Sequence, residues 1–213
     1  MALGQNEDAS RLPTWEDEIA KGCVPYHQLT VDDFRIDDQA YPESLYMVSP
    51  FIHPHWHYLT TGKGGFWYAY VDKWVVYSGF DKNASSRKSK FREMKGALPH
   101  AQAYLDIYEL CGRQLAALKP GELPSARGAT PSEAIAILTK SMDAFLKEKY
   151  KAVNAEAEEF QKVTGHGTNM KKVRELAKAI RKRLDAVPAQ TPPARDSAPA
   201  APSPSPIPSA GSF

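Results

Sequence analysis

The chain is short of cysteine: Cys23 and Cys111 are the two among 213 residues. They allow one disulfide and establish none, so a fold held by several bridges is excluded. Charge of one sign is also lacking. Lysine and arginine number 27 against 25 aspartates and glutamates, and a net charge of +2 argues against generic nucleic-acid binding. No apolar run approaches the roughly 18 residues that a bilayer span needs. The start of the chain has neither a basic opening nor an apolar core, so a full signal peptide is missing. Ala2-Leu3-Gly4 before Gln5 does look like the small-residue end of a cleavable signal. A start further upstream, with Gln5 opening the mature chain, and an ordinary short disordered start both stay open. What remains is a hydrophobic share of 42%, ordinary for a globular domain, on a chain long enough to bury a core.

Three parts are expected: an N-terminal segment over residues 1–26, a domain over 27–185 and a tail over 186–213. Thr14 can cap a short helix, and Thr30 a single turn within Leu29–Arg35. Tyr46 to Thr60 is strand-like, Gly62 to Gly65 is a turn cluster, and 66–71 and 74–80 read as two more strands joined at Asp72-Lys73. The basic stretch from Asp81 to Lys95 reads as a solvated connection, and Pro120 to Pro131 as a link. A long helix begins at Pro131 and runs toward Val163. A last one over 169–184 turns Val173, Ile180 and Leu184 inward, and its basic outer face, with Arg181 and Arg183, reads as solvated. From Val187 onward the Pro, Ala and Ser composition predicts a disordered tail. The fold class expected is α+β: a small antiparallel sheet against about three helices, with disordered ends.

The stretch from Pro99 to Leu118 organises the rest. Pro99 suits a first helical turn, and Tyr104, Ile107, Tyr108, Cys111, Leu115 and Leu118 recur at helical spacing. His100 and Tyr104 lie one turn apart on one side. A His pair at that spacing, with Glu after the first His, is the helix of zinc proteases. Here Ala101 stands in the Glu position and Tyr104 in that of the second His.

The run His100-x-Gln102-x-x-x-Asp106-Ile107-x-Glu109-Leu110-x-x-Arg113 resembles the metal-site helix, roughly HEQGHFDIAELYAR, of a bacterial family of secreted zinc-dependent proteases. Leu29 to Arg35 is similar to that family's opening Leu-Thr-x-x-Asp-Phe segment, and Thr164 to Asn169 to its downstream Thr-x-His-Gly segment. The resemblance spans about residues 27–180. It implies a zincin-like fold, with His100 and His166 carried over as metal ligands and export to the periplasm or beyond; a cytoplasmic location is the alternative. The departures fall on the chemistry. Ala101 cannot act as a base, and a neutral phenol is a poor zinc ligand. Loss of a general base costs on the order of a hundredfold to ten-thousandfold in rate. The resemblance therefore implies a degenerate relative without peptidase activity. No cofactor is expected, zinc being the possible exception, and an unknown protein or peptide is the expected partner.

Two further groups bear on this reading. His53, His55 and His57 alternate along Phe51–Tyr58, so in a strand they share a face. Half-exposed rings beside Trp56 and Tyr58 are the favoured reading; three imidazoles able to bind zinc or copper are the other. Asp106 could orient a ring nitrogen but reads as structural, and Glu109 with Arg113 reads as a surface pair worth a few tenths of a kcal/mol. In exported material a Cys23–Cys111 bridge could tie the N-terminal segment to the central helix. Three functions compete: a catalytically lost binding or envelope-associated module; a metal-dependent hydrolase rebuilt from His100, His166 and a strand histidine; and a structural protein whose tail tethers a partner.

Overall fold

The computed structural model describes residues 11–39, 45–93 and 96–189. In chain order the elements are α1 (Trp15–Ala20), β1 (Cys23–Pro25), β2 (Arg35–Ile36), β3 (Tyr46–Met47), β4 (Pro50–Lys63), β5 (Phe66–Asp81), β6 (Ser86–Arg87), α2 (Ala97–Ala116), β7 (Ser125–Gly128), α3 (Pro131–Val163) and α4 (Met170–Asp185). The class is α+β, with four α-helices among the described residues. The expected signal remnant, and the tail from residue 190 on, lie outside the described residues.

The frame is the long antiparallel hairpin of β4 and β5. Its turn is Gly64-Gly65, whose φ angles of 61° and 80° are the left-handed pair that a two-residue hairpin loop needs. The second hairpin expected at Asp72-Lys73 does not form. β5 runs through unbroken, and Asp72 is the extra residue of a bulge, because His57 pairs with Lys73 and Tyr58 with Val71. Neither Asp72 nor Lys73 is the glycine such a loop favours, and a bulge absorbs the irregularity at less cost.

β1 and β7 both pair antiparallel with β5, at opposite ends, so the order is β1-β5-β4 with β7 beside β5. β7 lies inside the stretch expected as a plain link, and β1 ties the segment before residue 27 into the main sheet. β4 is an edge strand, which is where Pro54 is tolerated. A second, three-stranded sheet has the order β2-β6-β3, with β2 and β6 parallel. It comes partly from the stretch expected to be solvated. Arg87 is instead buried, and its Nε donates to the Val31 carbonyl at 3.0 Å. Phe91 packs with Phe34, Val48 and Phe80.

Strand alternation gives the main sheet two unlike faces. Ile52 and Val76 join Leu115 of α2 on one face. Phe51 and Tyr77 join Trp15 of α1 on the other. α2 is the core helix, with twelve of its twenty residues buried. Gly112 lets it approach β5 so closely that any side chain there would overlap Ser78. α3 begins at the N-cap Thr130, lies along β7 and β5 through Ala134, Leu138 and Met142, and passes on to α2 through Val153, Ala157 and Phe160. The Tyr150 hydroxyl donates to the edge-strand carbonyl of Ile52 at 2.9 Å. α4, capped by Asn169, packs Ile180 and Leu176 against the same side of α2.

Candidate functional site

The first turn of α2 brings His100 inside, where 1% of its surface is exposed. Its ring stacks on Phe160 with centroids 4.9 Å apart. Nε2 lies 2.8 Å from Thr164 Oγ1, and the Thr164 hydroxyl donates its own hydrogen bond to the Phe160 carbonyl at 2.6 Å. The hydroxyl therefore accepts, and Nε2 carries the hydrogen. The other nitrogen, Nδ1, is left as an acceptor and takes a short hydrogen bond from the Tyr46 hydroxyl. Burial drives the His100 pKa down to about 4, and the nearby His166 adds to the effect. The ring is neutral with both nitrogens committed.

The 164–169 loop closes over this ring. Gly165, His166 and Gly167 have φ of 54°, 53° and 89°, three left-handed residues in a row. A Cβ on Gly167 would stand 3.1 Å from His100 Cγ, so only glycine lets the loop lie flat on the imidazole. His166 is exposed and turns into a groove of about 430 Å³, with Tyr104, Tyr108, Asn154, Glu158 and Lys162 among its walls. The Tyr104 and Tyr108 hydroxyls share a hydrogen bond at 3.3 Å, and Tyr108 donates to Asn154 at 3.0 Å. Burial first, and then Tyr104, pushes the Tyr108 phenol above its usual range, so it stays neutral.

The structure thus brings His100, Tyr104 and His166 together around one helix start and one loop. The zinc that the resemblance implies does not fit these residues. His100 has no lone pair to spare, and the Tyr104 hydroxyl is engaged with Tyr108. Ala101 is fully buried with Leu29, Phe34 and Phe80, facing away from the groove. Tyr46 had no signal in the sequence, whereas Thr164 lies inside the Thr-x-His-Gly segment.

The other polar residues of the helix hold the fold. Asp106 accepts from the Tyr26 hydroxyl and from Gln102, each at 2.7 Å, and pairs with Arg181 at 3.2 Å. Gln102 Oε1 accepts the Leu29 backbone N–H at 2.6 Å. Arg181 is therefore drawn inward rather than solvated, and Arg183 pairs with Glu156 of α3. Glu109 and Arg113 are 3% and 10% exposed, a buried pair rather than the surface pair expected. Glu109 takes the Arg113 Nε–H and the Ser78 hydroxyl, each at 2.7 Å. Arg113 also donates to the carbonyls of Leu184 and Val187, and so tethers the end of α4.

The three strand histidines part company, and none of them joins His100. His57 goes to Asp72 in the bulge, with Nδ1 at 2.6 Å. His53 and His55 lie on the α1 face of the sheet and converge on Glu18, a carboxylate with no exposed surface. Burial opposes ionisation of Glu18, but hydrogen bonds from Lys21 and His53 outweigh it and hold its pKa below the usual range. Cys23 and Cys111 are free thiols in separate clusters, so no bridge joins them. Burial pushes each thiol up to about 11.

No helix among the described residues is long and apolar enough to cross a membrane. In comparisons with protein-family models, curated proteins and solved structures, nothing matches this chain.

Proposed function

We propose that the protein is a catalytically degenerate, zincin-like relative of the secreted zinc-dependent proteases, working as a binding or envelope-associated module through the groove beside α2. The observation that carries this reading is the commitment of both His100 nitrogens, to Tyr46 and to Thr164, where a protease would hold its metal. The order of the three motifs and the meeting of His100 with the 164–168 loop favour the kinship. The groove favours the binding role. Two phenols supply apolar wall with polar tips, and Glu158, Lys162 and His166 supply charge of both signs at the rim. Such a surface suits an extended peptide segment better than a compact anion. Export to the periplasm or beyond goes with the family reading.

The test has two arms. A broad fluorogenic peptide panel, with and without added zinc and chelator, is expected to show no turnover. A peptide array is expected to give binders whose affinity falls at least about tenfold in Tyr108→Ala, the loss of one aromatic anchor. Chelator-sensitive hydrolysis would refute the loss of catalysis, and a panel of binders indifferent to Tyr108→Ala would overturn the groove.

A further inference from the structure

The α1 face of the sheet carries a cluster that the groove does not use. Cys23 opens β1, opposite Asp81 of β5, and His53 of β4 lies opposite Tyr77. Residues 77 and 81 point the same way along β5, so the thiol and the imidazole emerge on one face from strands either side of it. His55 follows His53 on that face. α1 lies across it and lowers Glu18 into the middle. One ligand atom each from Glu18, Cys23 and His53 falls within 4.8 Å of the others.

The hydrogen bonding of the cluster is incomplete. His53 Nδ1 is 2.6 Å from Glu18 Oε2, and the Cys23 thiol approaches the same oxygen at 3.7 Å. His55 Nε2 is aimed at Glu18 Oε1 from 3.4 Å, yet makes no hydrogen bond, although the atom is sealed from solvent. A buried ring nitrogen without a hydrogen bond is costly unless something else satisfies it. Three donors of three chemical kinds therefore converge, and the His55 nitrogen stands beside them, within reach of the shared carboxylate.

We propose that Glu18, Cys23, His53 and His55 form a zinc site on the α1 face of the sheet. One thiolate, one carboxylate and two imidazoles are a donor set that zinc takes in a tetrahedron. The charges also balance, since Zn²⁺ with a thiolate, a carboxylate and two neutral imidazoles sums to zero, which suits a site built around a carboxylate with no exposed surface. Binding displaces the thiol proton to water, together with any proton shared between His53 and Glu18. Lys21, now bonded to Glu18 Oε1 at 2.8 Å, is 58% exposed and free to swing outward as the metal takes its place. The site would pin α1 and β1 to the hairpin, so its role is structural and regulatory rather than hydrolytic. It is independent of the groove: none of its four donors lies on α2 or in the 164–169 loop.

The experiment titrates cobalt, as a spectroscopic stand-in, and then zinc into the untagged full chain. One equivalent of Co²⁺ should bind with a thiolate-to-cobalt charge-transfer band, and zinc should displace it. Cys111→Ser should keep the band and Cys23→Ser should lose it. Because the chain has two cysteines, a band persisting in Cys111→Ser identifies Cys23 even if Cys23→Ser fails to fold. His55→Gln should weaken Co²⁺ binding by more than about tenfold, while His57→Ala and His166→Ala leave it unchanged. Zinc should raise the melting temperature of the wild type and not of Cys23→Ser. Absence of the band in wild type, its loss in Cys111→Ser, or binding that depends on His166 and not on His55 would overturn the proposal.

Discussion

Lowering the pH should destabilise this protein through His100, beginning as the pH falls below about 6.5. The ring is buried, neutral and bonded through both nitrogens, so the folded state resists its protonation and holds its pKa at about 4. In the unfolded chain the same ring titrates near the ordinary value of about 6.5. Above pH 6.5 neither state binds the proton, and the full stability is present. As the pH falls the unfolded state takes up the proton first, so stability drops between about pH 6.5 and 4 and then levels off. The gap of about 2.5 pH units, at about 1.4 kcal/mol each, gives a total loss of about 3.5 kcal/mol, of which about 2 kcal/mol is gone by pH 5. For a chain of this size 2 kcal/mol corresponds to a fall in melting temperature of about 4–8 °C. The comparison is with His100→Gln, which keeps a donor for Thr164 and an acceptor for Tyr46 but does not titrate. Urea melts of both proteins from pH 8 to pH 4.5 isolate the ring, since every other group is common to the two. The variant should start less stable, without the stacking on Phe160, and fall less steeply with acid. Parallel curves would refute the assignment of His100 as a buried neutral ring.

Two further outcomes are expected of α2. Arg113→Ala should cost about 3–5 kcal/mol in urea denaturation, because the buried Glu109, whose pKa burial already raises, loses its partner and the end of α4 loses its tether, whereas Lys172→Ala at an exposed pair should cost less than about 1 kcal/mol. Ala101→Glu, which restores the residue of the protease helix, should destabilise the fold by several kcal/mol and yield no peptidase activity, because it places a carboxylate among Leu29, Phe34 and Phe80; a stable, active variant would show that position 101 faces the groove.

Two sequence features carried opposite lessons about the candidate sites. The helix from Pro99 was legible because the apolar stripe through Tyr104, Ile107 and Leu115 states both its period and its buried face. The same spacing put His100 and Tyr104 together, and the Thr-x-His-Gly segment supplied the loop that meets them. The roles were not legible. Glu109 and Arg113 have the spacing of any surface ion pair, and only the arrival of Ser78 and the end of α4 makes the pair a buried clamp. His53, His55 and His57 have one strand periodicity, yet the bulge at Asp72 takes the last and Glu18 the other two. Glu18 and Cys23 gave no sign of a shared site, one being an ordinary helix glutamate and the other read only as a bridge partner for Cys111, until α1 folds across β1 and β4.

The sequence by itself determined the helices and their ends. Thr14, Thr130 and Asn169 bond to backbone groups three residues on, and Gly64-Gly65 sets its own turn, so the information is local and needs no partner. Only the tertiary structure decided which polar atoms are free to do chemistry. Tyr46 lies 54 residues from His100 and Thr164 lies 64 residues on. Whether an imidazole nitrogen is a metal ligand or a hydrogen-bond acceptor depends on what arrives from that distance, and side-chain spacing within one element carries no record of it.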